Sequence, residues 1–584
     1  MIKNLLPVLK YYKKYWWKTL LGILFVLFAN IFKIMNPENV KNAVNKVTSI
    51  VASAKLDELS LAKVLLIFLL TYLGYALLEA VFTFLMRQML IVVSRRIEYD
   101  LKNDVYSNYQ KLDLAFYRKN NTGDLMNRVT EDVSRVRFFL GPSIMYTLNL
   151  IFMSVFSISA MLAIDKKLTL FVLIPFPIIT FLVYVLNSKI NEISESLQAR
   201  LSDITTNAQE SYSGIRVVQA YSQEASMISF FENESVGYKD ESMKLAKIES
   251  IYFPLITFLV GICLVILVYY GGQLYYNKTI GLGEIIQYIM YINMLTFPVS
   301  ALGWTVSSTQ RAAVSMRRIT EFLNIKSTIL NPTGIQKTIE GKIEFENVNF
   351  VYPDTGIEAL KNVSFTIKPG ERWAIVGKTG SGKSTIADLL MRMYDVTHGS
   401  VKIDDISIKE YETGFLRNEI GFVPQDVFLF SETIKDNINF GVANEKNTIE
   451  NAVFSAKSAA IHDEIVRFPL GYDTVVGERG VTLSGGQKQR ISMARALAKN
   501  PNVLLLDDCL SAVDTATEKK IEETFATILN GKTCIFITRR IFSLLSFDGI
   551  MVLENGKIVE AGTHDELLQK QGAYYTLYNA QQIV

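Results

Sequence analysis

Hydrophobic positions are spread very unevenly along this 584-residue chain. The first half contains six apolar stretches, each long enough to cross about 30 Å of hydrocarbon as a helix. They lie near residues 17–37, 62–92, 143–164, 168–188, 252–272 and 284–306. From Gly341 onward the pattern changes to short β-rich runs with helical segments between several of them. The pattern predicts an all-α membrane domain of six helices, followed by an α/β domain with a largely parallel sheet.

Two long polar segments interrupt the apolar stretches, at residues 93–142 and 189–250. Both are charged, have a helical period and contain almost no proline. A helix of about 27 residues is about 40 Å long, so each segment can form a helical hairpin that projects far from the membrane. A separate soluble subdomain is the alternative, but no Gly/Pro-rich boundary isolates either segment.

Charges next to the apolar stretches predict the orientation. The lysine-rich N-terminus and the long charged segments favour the cytoplasmic side, and 165–167 and 276–283 are expected to be short turns on the other side. Six crossings then leave both termini in the cytoplasm, with the protein in the cytoplasmic (inner) membrane. The first stretch lacks a small-residue cleavage site, which indicates a retained helix rather than a signal peptide.

Composition excludes several classes of protein. Hydrophobic residues make up 49% of the chain, and the mean hydropathy of +0.22 fits a partly membrane-embedded protein. A net charge of +3 does not suggest a nucleic-acid partner. The three cysteines lack metal-ligand spacing and fit reduced thiols.

A glycine-rich phosphate-binding loop, GKTGSGKST, lies between the strand-like WAIVG and a helical segment. Its glycines allow backbone N–H groups to approach phosphate, Lys383 supplies a charge for the outer phosphates, and Ser384 supplies a hydroxyl for Mg²⁺. Downstream, VLLLDD is an apolar strand that ends in two carboxylates, Asp507 and Asp508. The predicted cofactors are therefore ATP and Mg²⁺. The loop comprises Gly377, Lys378, Thr379, Gly380, Ser381, Gly382, Lys383, Ser384 and Thr385.

With LSGGQKQR at 483–490, these motifs resemble the ATPase domain of ABC transporters. In the first half, FYRKNNTGDLMNRVTEDVSRVR at 116–137 and ESYSGIRVVQAYSQE at 210–224 resemble the cytoplasmic tips of ABC exporters. TVVGERG at 474–480 resembles the X-loop of exporters. The resemblance covers nearly the whole chain. It implies a transmembrane domain at 1–320 with coupling tips near 116–122 and 213–220, a linker at 321–340 and a nucleotide-binding domain at 341–584.

The resemblance also assigns roles to residues outside the phosphate loop. Tyr352 occupies the position of the aromatic that stacks on adenine, and Gln425 that of the glutamine that senses Mg²⁺, although a strand tyrosine and a turn glutamine are the ordinary alternatives. Asp507 matches the aspartate that holds Mg²⁺ through water. Asp514 matches an aspartate that crosses a dimer interface. The signature residues Ser484, Gly485, Gly486 and Gln487 would complete the ATP site of a facing domain.

Two positions depart from the family pattern. Asp508 stands where active members have a catalytic glutamate, and Arg539 stands where they have a histidine near the γ-phosphate. Aspartate is one methylene shorter, and misplacement by about 1 Å can lower a rate about 100-fold. Arginine keeps a positive charge but offers no neutral imidazole acceptor. The site is therefore predicted to bind ATP and hydrolyse it poorly, unless the two residues compensate each other in a working site.

The predicted function is that of one subunit of an ATP-driven exporter, paired with a second half-transporter and surrounded by membrane lipids. Its substrate would be an amphipathic small molecule, a lipid or a peptide. A homodimeric exporter and a nucleotide-gated regulator or channel are the alternatives. Six spans exclude a soluble ATPase, and a protease-linked exporter is disfavoured because no peptidase domain precedes the first span.

Polar residues within the spans are candidates for the substrate path, and ordinary hydrogen bonds between helices are their alternative role. Arg87 has two further alternatives, since at the cytoplasmic end of the second helix it can extend to the membrane surface or pair across the interface. The candidates are Asn30, Glu79, Arg87, Asn149, Gln287, Tyr288, Tyr291 and Asn293.

Overall fold

The computed structural model describes residues 2–52, 58–327, 329, 331–443, 447–477, 480, 482–540 and 547–582. The chain forms two compact units. The helical unit comprises Met1–Tyr109 and Gly123–Ile325, and the α/β unit comprises Gln110–Thr122 and Lys326–Val584. The short segment Gln110–Thr122, from the first predicted tip, thus belongs to the same unit as the β-rich half.

Twelve helices occupy the described part of the first 325 residues. They are α1 (Ile2–Leu5), α2 (Leu9–Ala52), α3 (Glu58–Tyr109), α4 (Leu114–Lys119), α5 (Thr122–Asn127), α6 (Val133–Phe138), α7 (Ile144–Ile164), α8 (Lys166–Leu173), α9 (Pro175–Ser213), α10 (Ile215–Ala220), α11 (Glu224–Tyr276) and α12 (Leu282–Leu323). The five longest have 39 to 53 residues, or about 60 to 80 Å at 1.5 Å per residue. They therefore extend well beyond the thickness of a bilayer.

Within the described residues, five helices are long and apolar enough to span a membrane. They run over Lys3–Val51, Leu61–Tyr109, Thr122–Ile164, Lys166–Ser213 and Glu224–Tyr276. The sixth predicted span, 284–306, lies in α12, where side chains 297 and 299–302 are outside the described set. Its crossing of the membrane stays a prediction.

The long polar segments form helical extensions, as predicted. The first turns back after α3, and the Tyr109 hydroxyl donates to the Leu125 carbonyl at 3.0 Å. The second consists of α9 and α11, with the six-residue α10 at its tip. α12 continues to Leu323, three residues into the predicted linker, because Phe322 packs on the Tyr109 ring with centroids 4.3 Å apart.

Hydrogen bonds occupy most of the polar side chains within the spans. Asn30 donates to Asn149 at 2.8 Å and joins α2 to α7. The Tyr288 hydroxyl donates to the Met161 carbonyl at 2.8 Å, and Gln287 donates to Tyr291 at the same distance. Asn293 donates to the Ile289 carbonyl within α12. For these residues a role in packing accounts for the geometry.

The described part of the α/β unit contains ten strands and nine further helices. The strands are β1 (Ile343–Val351), β2 (Glu358–Ile367), β3 (Arg372–Val376), β4 (His398–Ile403), β5 (Ile406–Ser407), β6 (Ile420–Val423), β7 (Val503–Asp507), β8 (Thr533–Ile537), β9 (Gly549–Glu554) and β10 (Lys557–Gly562). The helices are α13 (Lys383–Leu390), α14 (Thr413–Glu419), α15 (Ile434–Ile438), α16 (Ile449–Ser458), α17 (His462–Val466), α18 (Gly485–Ala498), α19 (Thr515–Ile528), α20 (His564–Lys570) and α21 (Ala573–Gln582).

The strands form two sheets. A six-stranded sheet has the order β10-β9-β3-β8-β7-β6 and is parallel except for β10, which confirms the predicted parallel sheet. Every residue of β7 and β8 is buried, because one face of the sheet packs with α18 and α19 and the other with α13 and the second sheet.

The other sheet is an addition to the sequence prediction. The runs KIEFENVNFVY, SFTI and VKID belong to a four-stranded antiparallel sheet of order β2-β1-β4-β5. Only six residues connect β1 to β2, and a parallel connection needs a crossover of a dozen or more.

Candidate active site

The candidate residues converge because four parallel strands end at the same edge of the six-stranded sheet. Gly377 follows β3, Gln425 follows β6, and Arg539 follows β8 closely. Asp507 is the last residue of β7, and Asp508 comes next. The carboxyl edge of a parallel sheet is where such folds bind ligands. The sequence order of these motifs thus becomes a spatial cluster.

These strand ends enclose a cavity of about 520 Å³. Gly377 and Lys378 of the loop lie outside its lining. The predicted residues that line it are Tyr352, Thr379, Gly380, Ser381, Gly382, Lys383, Ser384, Thr385, Gln425, Asp507, Asp508 and Arg539.

The phosphate loop needs glycine where it enters α13. Gly382 caps this helix with a φ of 100°, and a Cβ atom there would lie 2.4 Å from the Ala359 carbonyl oxygen. Any larger residue would be strained and would collide with the backbone. The loop therefore brings its N–H groups and the positive end of the α13 dipole to one place, where an anion is favoured.

Lys383 is held inside the loop. Its Nζ donates to the carbonyls of Gly377 and Lys378 at 2.8 and 2.7 Å. Burial lowers the pKa of Lys383, and the charge of Arg539 lowers it further. A bound phosphate would oppose both effects on the pKa of Lys383, because its negative charge stabilises the ammonium group that burial deprives of water.

Ser384 and Asp507 present a hydroxyl and a carboxylate to the same point. Burial raises the pKa of Asp507, a hydrogen bond from Ser384 opposes this shift, and the charge of Asp508 adds to it. A hard divalent cation would stabilise the ionised carboxylate and take both oxygens as ligands. The donor set fits Mg²⁺ bound together with nucleotide phosphates.

The two residues that depart from the family pattern face each other. The Arg539 Nε lies 3.9 Å from a carboxylate oxygen of Asp508, at the limit of an ion pair. The side chain of Arg539 is 50% exposed and that of Asp508 is 13% exposed. Asp508 has a positive φ of 47°, and its N–H donates to the Ile537 carbonyl at 2.8 Å. The backbone thus fixes Asp508, while the half-exposed Arg539 side chain lines the cavity beside it.

Tyr352 lies at the other end of the cavity. Its hydroxyl is 2.9 Å from the Thr385 hydroxyl, and its ring meets Phe350 edge to face at 4.9 Å. The guanidinium of Arg118 lies 5.1 Å from the centre of the Tyr352 ring, a distance typical of a cation–π contact. A half-buried aromatic ring that lines the cavity beside a phosphate loop suits stacking on a nucleotide base.

Arg118 also lies in this region, and no role for it was predicted from the sequence. It belongs to α4, whose Leu114 and Ala115 pack against the core under the antiparallel sheet. Besides Tyr352, the guanidinium reaches the Tyr394 ring at 5.6 Å and Asp388 at 3.9 Å. The sequence showed FYRKNN only as a charged tip, and no pattern linked it to residues more than 230 positions away.

The signature residues and Asp514 lie outside this cavity, at the N-termini of two other helices. Ser484 caps α18 and accepts from the Gln487 N–H at 3.3 Å, while Gln487 accepts from the Ser484 N–H at 2.9 Å. Gly485 beside them is exposed. Asp514 caps α19 and is also exposed. The structure therefore does not bring the signature to the phosphate loop of its own chain.

Gln489 connects α18 with the segment after β7. It donates to Ser511 at 2.9 Å and accepts from the Ala512 N–H at 3.0 Å. In the predicted X-loop, Val475 forms an isolated bridge with Thr433, whereas Glu478 and Arg479 lie outside the described residues.

Comparison with known proteins supplies the family. The model of the ABC transporter transmembrane region matches residues 19–299, and the ABC transporter model matches residues 360–511. A solved structure described as a bacterial Atm1-family ABC exporter with ATP bound has a TM-score of 0.80 and 26% identity, covering 97% of this chain and 98% of that one.

Two curated relatives match over nearly their whole length. The probable multidrug resistance ABC transporter ATP-binding/permease protein YheI of Bacillus subtilis (strain 168) is 34% identical, over 98% of this chain and 97% of YheI. The multidrug resistance-like ATP-binding protein MdlA of Escherichia coli (strain K12) is 32% identical, over 98% and 96%. An ATP-dependent lipid A-core flippase of Syntrophus aciditrophicus (strain SB) is 34% identical, over 84% and 81%. The chain therefore belongs to the ABC transporter family, as an exporter-type half-transporter whose membrane and ATPase domains share one polypeptide.

Proposed function

We propose that this chain is the degenerate-site subunit of a heterodimeric ABC exporter in the cytoplasmic membrane, with both termini in the cytoplasm. The substrate class is an amphipathic small molecule, a lipid or a peptide. Relatives named for multidrug resistance and for lipid A-core flipping support that range.

The Asp508–Arg539 pair is the observation that carries the proposal. A general base must have an oxygen free to accept a proton from the attacking water. The Arg539 guanidinium, 3.9 Å from an Asp508 oxygen, competes with water for that carboxylate. Arg539 cannot replace histidine, since it has donors and no acceptor. The site keeps charge for phosphate binding and lacks a group to orient water.

The binding part of the same site is complete. Lys383, Ser384 and Asp507 are positioned for phosphates and Mg²⁺, and bound Mg²⁺ would supply electrostatic stabilisation of the phosphate oxygens. Tyr352 would stack on the base, and Gln425 stands at the end of β6 on the wall of the cavity. ATP bound here would act as a long-lived tether between the two nucleotide-binding domains.

The exposed signature explains why a second chain is needed. Ser484, Gly485 and Gly486 begin α18, and its dipole favours an anion at that end. A partner would supply a phosphate loop, a catalytic glutamate and a histidine to face them. ATP binding at both composite sites would close the domains, the coupling tips would carry that closure to the membrane helices, and hydrolysis at the competent site would reset the transporter.

Restoring the family residues tests the proposal on the purified chain alone. Wild type is expected to bind a fluorescent ATP analogue and to hydrolyse ATP slowly. The double variant Asp508→Glu/Arg539→His is expected to raise turnover about 100-fold in self-associated chains, the size of a general-base contribution. Adding Lys383→Ala to this variant should abolish the gain, which shows that the hydrolysis comes from this chain.

Brisk turnover by the wild-type chain alone would instead support the homodimeric alternative, in which Asp508 and Arg539 compensate each other. Substrate-stimulated ATPase and uphill transport in vesicles, both measured on the assembled complex, separate an exporter from a nucleotide-gated regulator.

A further inference from the structure

Contacts between α2 and α3 fix the depth of Arg87 in the membrane. The space beside the Gly22 Cα is filled by the Leu90 side chain, and Lys33 Nζ lies 3.8 Å from a Glu79 oxygen. These two contacts share one antiparallel register, and that register places Arg87 level with Phe25. The contacts of Phe82 with Phe28 and Phe32, with centroids 5.3 and 5.5 Å apart, lie within two residues of this alignment.

The same register places Arg87 deep within the second predicted span. Trp16 and Trp17 are exposed and suit the membrane–water interface. Phe25 is eight residues beyond Trp17, or about 12 Å at 1.5 Å per residue. That depth is close to the middle of a hydrocarbon layer about 30 Å thick. This depth disfavours the alternative that Arg87 simply reaches the headgroups.

Among the described residues, Arg87 has no counter-charge. In the part of the chain that the structure describes, neither an ion pair nor a side-chain hydrogen bond joins Arg87 to another residue. The neighbouring α12 segment 297–302, whose side chains are described only at Pro298, contains no acidic residue. Glu79 is engaged with Lys33. An isolated charge at such depth is expensive and marks a functional path.

Arg87 lines a cavity of about 480 Å³ bounded by α2, α3, α7 and α12. Lys33 and Glu79 are on the same wall, so the lining carries one excess positive charge. The apolar part of the lining includes Met86, Met145 and Met153, which are buried and have flexible thioether side chains. Methionine surfaces adapt to apolar groups of different shape.

We propose that this cavity binds amphipathic organic anions, with a carboxylate or sulfonate at Arg87 and the apolar body among the methionines. This proposal rests on the export function proposed above and names its substrate class. The cavity has the volume of a small-molecule site. A single carboxylate side chain from a partner would neutralise Arg87 without filling that space.

A matched pair of dyes tests the proposal without transport. 1-Anilinonaphthalene-8-sulfonate and N-phenyl-1-naphthylamine differ by one sulfonate. Saturable binding of each radiolabelled dye is measured by scintillation proximity on the full chain in zwitterionic nanodiscs, with empty nanodiscs subtracted. The sulfonate is expected to bind at least about tenfold more tightly than the neutral dye, as for a charge-assisted hydrogen bond.

Variants assign that preference to Arg87. Arg87→Gln should weaken sulfonate binding about tenfold and leave the neutral dye unchanged, which also shows that the variant is folded. Arg87→Lys should retain most of the preference. Arg96→Gln, an exposed arginine on the same helix outside the cavity lining, should behave as wild type.

Equal binding of both dyes to wild type, or unchanged sulfonate binding by Arg87→Gln, would overturn the proposal. So would loss of the preference in the assembled complex together with impaired assembly of Arg87→Gln, since Arg87 would then pair with the partner. A complex that keeps the sulfonate preference and transports nothing would overturn the export function while this site stands.

Discussion

Asp388 is a half-buried carboxylate on α13, the helix that follows the phosphate loop. Burial raises the pKa of Asp388 to about 6, while Arg118 opposes the shift and Asp507 adds to it. At neutral pH the Asp388 carboxylate is therefore ionised, and its ionised form lowers the free energy of unfolding. The phosphate-loop helix carries a titratable group in the range where cellular pH varies.

The sign of its effect on stability follows from this shift. A raised pKa in the folded state favours the neutral form, so the contribution is complete below the unfolded value of about 3.9 and is lost as pH rises through about 6. Asp388→Asn is expected to melt at a higher temperature than wild type above pH 6, and the difference should vanish near pH 4. Thermal unfolding of the full chain between pH 4 and 8 measures this, with exposed Asp463→Asn as control. A difference that does not change with pH would contradict the assignment.

The residues of the phosphate loop were predictable from sequence, but the residues that contact its helix from distant parts of the chain were not. Gly382, Lys383 and Ser384 are dictated by the local backbone geometry of phosphate binding, which a short motif records. Arg118 and Asp388 are 270 positions apart, and their meeting depends on how α4 packs under the antiparallel sheet. No local period reports such a contact.

At the level of elements, α4 is a six-residue helix held in one orientation. Asp113 caps it by accepting from the Phe116 N–H at 3.1 Å. Its last turn presents Arg118 to Tyr352, Tyr394 and Asp388. One side chain thus links the predicted coupling tip to both the base end of the ATP site and the phosphate-loop helix.

Removing that guanidinium should uncouple the tip from the ATP site. The cation–π contacts and the partly exposed ion pair together contribute about 1 to 2 kcal/mol. Arg118→Leu keeps the apolar packing and is expected to retain basal ATPase activity of the assembled complex while losing most of its stimulation by substrate. ATPase assays with and without substrate measure this, and Lys119→Leu on the same helix is the control. Full stimulation in Arg118→Leu would show that the tip docks through Leu114 and Ala115 alone.

The pattern of elements was predictable to different degrees. The polar extensions kept a helical period, so α9 and α11 followed from sequence. The pairing of the strands could not be predicted in the same way, because the composition of KIEFENVNFVY fits either sheet. The six-residue connection to β2 is too short for a parallel crossover and so places this strand in the antiparallel sheet. The end of α12 moved beyond the predicted boundary because its last turn packs on Tyr109.

At the scale of the whole molecule, the proposed heterodimer gives unequal roles to the exposed start of α18 and to the ATP cavity of this chain. In the proposed heterodimer, the signature of this chain serves the competent site, and its own phosphate loop serves the site that holds ATP. Damage to the two places should therefore have unequal effects on turnover.

Two substitutions in the assembled complex compare these roles. Ser484→Arg places a large cation where phosphate must approach and is expected to abolish ATPase activity. Asp508→Ala is expected to lower it far less, and Ser484→Ala should fall between them. Steady-state phosphate release measures all three, and the reverse order of effects would make the Walker B site of this chain the working one.

The backbone at Asp508 also bears on how such a site evolves. Its φ of 47° is a conformation that aspartate and asparagine adopt more readily than other side chains with a Cβ. In the proposed degenerate site, replacement of glutamate by aspartate would relieve the local backbone while it weakens hydrolysis. Once a partner subunit supplies turnover, the exchange is favoured by stability and no longer opposed by function. Reversal would need selection for activity strong enough to restore glutamate, which this backbone conformation disfavours. In the proposed heterodimer, the division of labour between subunits would therefore maintain itself.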